Sequence, residues 1–266
     1  MTDTASTTAS TTTDTTTNTT LITGAASGIG AATATLLAAR GHRLVLVDID
    51  EGSLERVAAD LRATGAEAIT VTADASGEDA AAGALDAGYA AFGTVDGLVT
   101  SAAVMISKPL TETTLEDWNR LQSVNVTGVF LLCREFVRRL VEAGGPGAIV
   151  NLSSISGTVA LPNQAAYCAS KGAVAQLTRQ IAVEYAARGI RANVVSPGTV
   201  ETRQLATYLG SQPDPEAARR DLYASHPIGR VAEAAEVAST IAFLLGPDAS
   251  FVTGAALAVD GGYTSV

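Results

Sequence analysis

Cysteine is nearly absent: the 266-residue chain has two, Cys133 and Cys168. Two cysteines make no disulfide framework, and neither has a second cysteine or a histidine close by in sequence. Structural free thiols in a reducing, cytoplasmic setting are the expectation. Basic residues are also scarce. Seventeen Lys and Arg stand against 27 Asp and Glu, a formal net charge of −10, so the chain has no electrostatic footprint for nucleic acid or anionic membrane. No apolar run reaches the roughly 18 residues a membrane span needs. The two histidines, His42 and His226, are isolated, and no metal site is expected. Charged residues are only 17% against 47% hydrophobic, which excludes a disordered chain and suffices for one large core.

The first twenty residues, MTDTASTTASTTTDTTTNTT, lack the basic start of a signal peptide and the arginines of a transit peptide. The tract predicts a disordered Thr-rich tail over residues 1–19, ahead of a single domain over 20–266. Its last threonines suit a first strand, because threonine is β-prone.

From Leu21 onward, short apolar runs alternate with helix-like stretches. The runs are 43–48 (RLVLVD), 68–74, 96–102, 147–154 and 191–198. Continuous β-branched runs suit parallel strands covered on both faces. Residues 52–64 read as a helix with Asp50 as N-cap and Gly65 as stop, and 164–188 as another closed by Gly189. This alternation predicts an α/β fold, a doubly wound parallel sheet with helices on both faces. The polar, proline-containing stretch 202–230 breaks the rhythm and is read as a lid over the substrate.

The first strand runs into TGAASGIG, whose glycines are Gly24, Gly28 and Gly30. Such a turn into a helix lets backbone N–H groups approach a pyrophosphate. The spacing G-x-x-x-G-x-G departs from the common dinucleotide pattern. About twenty residues on, the second strand ends in Asp48, placed to accept from ribose hydroxyls and to repel a 2′-phosphate. Ser27 and Ile49 stand where an arginine would favour NADP, so NAD is expected. Asp74, at the end of the third run, either caps the next helix or meets the adenine amino group.

The stretch AAYCASKGAV puts Tyr167 and Lys171 four residues apart on one helical face. A free phenol has a pKa near 10, and a neighbouring cation lowers it toward a working general acid/base. Ser154, at the end of a strand, is placed to hold a substrate oxygen or to cap a turn. Asn125 sits in a helical pattern where asparagine is unfavourable, either for its amide or exposed.

Taken together, these segments resemble the short-chain dehydrogenase/reductase family over about 21–263. TGAASGIG resembles its cofactor turn, while NVTG, NLSS and YCASK resemble its catalytic segments. SPGTVET and TGAALAVDGG resemble the nicotinamide stretch and the last strand. The resemblance implies that Tyr167 exchanges the proton and Ser154 positions the substrate oxygen. Lys171 is implied to lower the phenol's pKa and bind the nicotinamide ribose, and Asn125 to hold a water leading to Lys171. Ser27, Ile29, Asp48, Asp74, Ala75, Ser101, Val200 and Thr202 are implied to line the cofactor along with Tyr167 and Lys171. A homotetramer packed through the helices of Asn125 and Tyr167 is likewise implied.

One departure is TSAA (Thr100–Ala103), where the family usually reads Asn-Asn-Ala-Gly. If position 103 needs φ > 0, alanine costs about 1 kcal/mol there, and the missing amides remove braces between central strands. Met105, Ile106, Ile155, Ser156, Gln164, Gln204 and Leu205 are expected to line a medium-sized, partly apolar alcohol or ketone. His226 lies in the lid, within range of substrate. The leading reading is an NAD-dependent oxidoreductase of secondary alcohols. The alternatives are an NADPH-dependent 3-ketoacyl-type reductase and a catalytically silent dinucleotide-binding regulator.

Overall fold

The computed structural model describes residues 18–210 and 212–266; most of the Thr-rich tract, 1–17, lies outside them. Seven strands are present among the described residues: β1 (Thr19–Thr23), β2 (Arg43–Asp48), β3 (Ala68–Thr72), β4 (Gly97–Thr100), β5 (Gly147–Leu152), β6 (Ile190–Pro197) and β7 (Ala256–Val259). They form one parallel sheet in the order β3-β2-β1-β4-β5-β6-β7. The order reverses between β1 and β4, and in such sheets the reversal opens a crevice at the strands' carboxyl ends. Thr19, placed in the predicted tail, is fully buried and paired with Arg43 in the sheet.

The helices are α1 (Gly28–Ala39), α2 (Glu51–Ala63), α3 (Glu78–Phe92), α4 (Leu115–Gln122), α5 (Val129–Ala143), α6 (Ala165–Tyr185), α7 (Arg203–Gly210), α8 (Pro215–Ala224) and α9 (Ala234–Leu245). Side chains alternate across β2: Leu44 and Leu46 join the core beneath α1, α2 and α9, and Val45 and Val47 join the core beneath α3, α5 and α6. Both faces are dry, which is why the strand reads as an unbroken apolar run. Each fully buried leucine or valine stabilises the fold by about 1.5–3 kcal/mol.

Local signals act where expected. The Asp50 carboxylate accepts from Ser53 N at 3.1 Å to cap α2, and Gly65 leaves the helix at φ +89°. The Arg191 guanidinium donates to the carbonyls of Leu244, Leu245 and Gly246 at 2.7–3.1 Å, satisfying the orphan acceptors at the end of α9.

Several runs are shorter than read. β3 stops at Thr72 and β5 at Leu152, so Asp74 and Ser154 stand two residues beyond their strands. Helix α6 ends at Tyr185, and a 3₁₀ turn then carries the chain to Gly189. The stretch 202–230 is not irregular: it carries α7 and α8. His42 is partly buried, with Nδ1 3.0 Å from Thr20 Oγ1, and burial, then Arg40, lowers its pKa.

Candidate active site

A cleft of about 760 Å³ opens above the β1–β4 reversal. Its floor is the glycine turn, and the odd spacing has a geometric cause. Gly24 and Gly28 both take positive φ, +68° and +56°. A Cβ on Gly24 would stand 2.7 Å from Ala102 N, and one on Gly30 would stand 2.1 Å from the Gly24 carbonyl oxygen. Gly30 therefore lets α1 press onto the turn and does not itself line the cleft. Ser27 makes no side-chain cap to α1, and the first turn of α1 holds no acidic residue. The orphan N–H groups and positive end of α1 thus face a ligand-sized space, which suits a pyrophosphate. The other predicted cofactor residues, Ser27, Ile29, Asp48, Asp74, Ala75, Ser101, Tyr167, Lys171, Val200 and Thr202, all line this cleft, as do Gly24 and Gly28. The residues present fit a dinucleotide.

Two carboxylates mark one end. Asp48 Oδ2 accepts from Ala26 N and its Oδ1 from Asp50 N, both at 3.0 Å, so the group is pinned to the glycine turn. Asp74 does not cap α3, whose N-cap is Gly77. Its Oδ1 accepts from Ser76 N at 2.9 Å and from Ser76 Oγ at 2.7 Å. These bonds, the backbone one first, hold its carboxyl below the usual range.

At the other end Tyr167, Lys171 and Ser154 converge. The Ser154 side chain stands by the Tyr167 phenol and opposes the rise in its pKa. Ser154 also caps a 3₁₀ turn, accepting from Ser156 N at 3.1 Å, so it takes both roles open to it. Lys171 is buried; its Nζ donates to the Leu152 carbonyl at 2.8 Å and stands 5.6 Å from the Tyr167 ring centroid. Burial lowers the ammonium to about 8. The expected lowering of the phenol by Lys171 is not what this geometry produces. Burial pushes Tyr167 up to about 12, and the opposing effect comes from Ser154. Each group is buried in the same wall, and burial disfavours the charged form of each.

Asn125 is fully buried and stands one layer behind the cleft. It lies in a π-helical turn, Ser123–Gly128, between α4 and α5. Its amide pairs with the Val104 backbone in both directions at 2.9 Å and donates to Ser170 Oγ at 3.3 Å. This ties the loop following β4 to the helix carrying Tyr167.

A family model described as enoyl-(acyl carrier protein) reductase matches residues 24–264, the span that holds every segment of this cleft. The chain belongs to the short-chain dehydrogenase/reductase family. It is 48% identical to cis-4-hydroxycyclohexanecarboxylate dehydrogenase of Sinomonas cyclohexanicum, over 91% of this chain and 95% of that one. It is 41% identical to D-threitol dehydrogenase of Mycolicibacterium smegmatis, over 91% and 90%. A solved structure of NAD⁺-bound xylitol dehydrogenase superposes with a TM-score of 0.87 at 35% identity, covering 92% of this chain and 98% of that one.

In this short-chain dehydrogenase/reductase the TSAA segment causes no strain. Among described non-glycine residues only Asn163 has φ > 0, so Ala103 carries no left-handed penalty. The central strands are braced by another route: Thr100 Oγ1 donates to Asn151 Oδ1 at 2.7 Å, and Asn151 Nδ2 donates to Thr178 Oγ1 at 2.9 Å. Of the expected substrate residues, Met105, Ile155, Ser156, Gln164, Gln204 and Leu205 line the cleft, and Ile106 does not. His226 stays out of it, 2% exposed. Its Nε2 accepts from Thr199 N at 3.1 Å, so the proton sits on Nδ1 and points at the Leu222 carbonyl, 2.7 Å away. His226 thereby links α8 to the loop after β6. Arg120, Arg203, Tyr208 and Tyr263 also reach the cleft. Nothing local in the sequence marks them, because chain folding alone brings them there.

Proposed function

We propose that this chain interconverts a secondary alcohol and its ketone, with NAD(H) as hydride carrier and Tyr167 as the general acid/base. The observation that carries this reading is the meeting of the Tyr167 phenol with Ser154, one helical turn from buried Lys171, inside a cleft whose other end fits a dinucleotide. The relatives named for alcohol oxidation and the NAD⁺-bound neighbour support it.

Gly24, Gly28 and the N-terminus of α1 would hold the pyrophosphate, Asp48 the adenosine ribose, and Lys171 with Thr202 the nicotinamide end. The cofactor supplies hydride exchange. Ser154 Oγ orients the substrate oxygen toward Tyr167. A phenol near 12 is protonated at neutral pH and is set to donate to a ketone oxygen during reduction. In oxidation the phenol must first release its own proton, and the resulting phenolate then takes the alcohol proton. Lys171, near 8, titrates in the working range and can pass that proton on. Asn125 holds the wall behind Lys171. The stretch 202–230, as α7 and α8, serves as the substrate lid.

A tetramer built through α5 and α6 accords with the exposure of Phe130 and Val183, 42% and 80%, on their outer faces. Sedimentation tests it. Two free thiols, Cys133 buried, suit the cytoplasm.

The test is absorbance at 340 nm with NAD and a panel of secondary alcohols, in wild type and Tyr167→Phe. The variant should bind NADH as wild type does and lose most turnover, because only the proton carrier is removed. Wild-type turnover in the variant would refute the assignment.

A further inference from the structure

We infer that Gln164 selects the substrate by recognising an uncharged oxygen on the carbon next to the reacting carbinol. The inference rests on the alcohol–ketone activity proposed above. It names the substrate class as alcohols with a vicinal oxygen, such as a vicinal diol or a hydroxyketone.

Gln164 occupies the N-cap position of α6 yet makes no side-chain cap. Its carboxamide is used elsewhere. Ser154 Oγ donates to Ser156 Oγ at 3.3 Å, and Ser156 Oγ donates to Gln164 Oε1 at 3.0 Å. A chain of hydrogen bonds thus runs from Ser154 through Ser156 to Gln164, and all three line the cleft with Tyr167. Ser156 is buried, so this end of the carboxamide is fixed. With Oε1 taken, the NH₂ group is the free end, and it can only donate.

The backbone aims it. Asn163, just before, is the single described non-glycine residue at positive φ, +62°, and its carbonyl accepts from Lys108 N at 2.8 Å. A left-handed residue held from outside, beside an active site, is strain placed to orient its neighbour in the chain. Gln164 and Tyr167 are three residues apart around the start of α6, and both line the cleft. An acceptor oxygen held by Gln164 therefore lies close to the oxygen held by Tyr167 and Ser154. Ile155, Leu161 and Leu205 supply the apolar remainder of the wall. A neutral donor among apolar groups suits a hydroxyl or carbonyl. A carboxylate would draw instead on Arg120, which lines the cleft from α4.

The experiment measures kcat/KM with NAD for trans-cyclohexane-1,2-diol, cyclohexanol and 2-hydroxycyclohexanecarboxylate, in wild type, Gln164→Met and Ser156→Ala. NADH binding, followed by its fluorescence, serves as the folding control. Wild type should prefer the diol to cyclohexanol by about tenfold or more, the scale of one hydrogen bond in a dry site. Gln164→Met should erase that preference. Ser156→Ala, which frees the carboxamide to turn, should lower it several-fold with NADH binding intact. A preference that moves less than about threefold in Gln164→Met overturns the inference. So does a wild type that favours the carboxylate. Turnover of none of the three by wild type that binds NADH refutes the alcohol–ketone reading itself, and the inference with it.

Discussion

Replacing Asp48 by asparagine removes one charge and almost no volume. The wild-type carboxylate is held by two backbone N–H groups, Ala26 and Asp50, both at 3.0 Å. A carboxylate has about four acceptor sites, so two remain for the ribose hydroxyls of NAD. NADP would bring a phosphate to the same place. At about 4 Å and an effective dielectric near 20, two like unit charges repel by roughly 4 kcal/mol. The two backbone bonds prevent the carboxylate from swinging away. A cation in reach is Arg203, whose Nη1 is 3.8 Å from Asp50 Oδ2, and it offsets part of the repulsion. About 3 kcal/mol remains, on the order of a hundredfold preference for NAD. In Asp48→Asn the side-chain oxygen keeps one backbone bond and the NH₂ becomes a donor toward phosphate. The ratio of kcat/KM for NAD to that for NADP should fall by about a hundredfold, with about 1 kcal/mol of stability lost with the other backbone bond. Asp48→Ser with Ile49→Arg should invert the preference by supplying a guanidinium fork. The assay is kcat/KM for both cofactors with one alcohol in all three proteins. A wild type that uses both cofactors equally, or an Asp48→Asn ratio within about threefold of wild type, would refute the reasoning.

Two further perturbations probe the buried polar groups. Lys171 titrates near 8 when folded and 10.5 when unfolded, so the unfolded chain holds more protons between those values and the free energy of unfolding rises with pH there. Urea titrations at pH 7.5 and 9.5 should show wild type gaining about 2 kcal/mol relative to Lys171→Met, which also loses turnover; equal slopes would show that the ammonium is solvated. His226→Phe leaves the Thr199 N–H without its partner, while the Leu222 carbonyl keeps the Ser225 hydroxyl. It should cost about 1–3 kcal/mol in denaturant unfolding and raise KM for NAD more than it lowers kcat. A variant as stable as wild type would show that His226 is not the link between α8 and the loop after β6.

Whatever depended on neighbours a few residues away was legible in the chain itself. The apolar run 43–48 is β2 because both faces of that strand are covered. Asp50 caps α2 because the donor it needs, Ser53 N, is three residues on. Tyr167 and Lys171 share a face because helical geometry requires it. The glycines of TGAASGIG are needed by a turn that begins and ends within seven residues. Other features were settled by groups distant in sequence and brought close by the sheet. Asn125 lies in a π-helical turn held by the Val104 backbone. Ala103 avoids strain because the backbone there never turns left-handed. Arg203 nears Asp50, and His226 joins Thr199 to Leu222, across gaps no local pattern records. The phenol's pKa rises although a lysine stands one turn away, because burial in the surrounding core penalises the phenolate. Periodicity and turn chemistry act within a few residues and can be read along the chain; desolvation and long-range hydrogen bonding belong to the packed structure, which alone decides them.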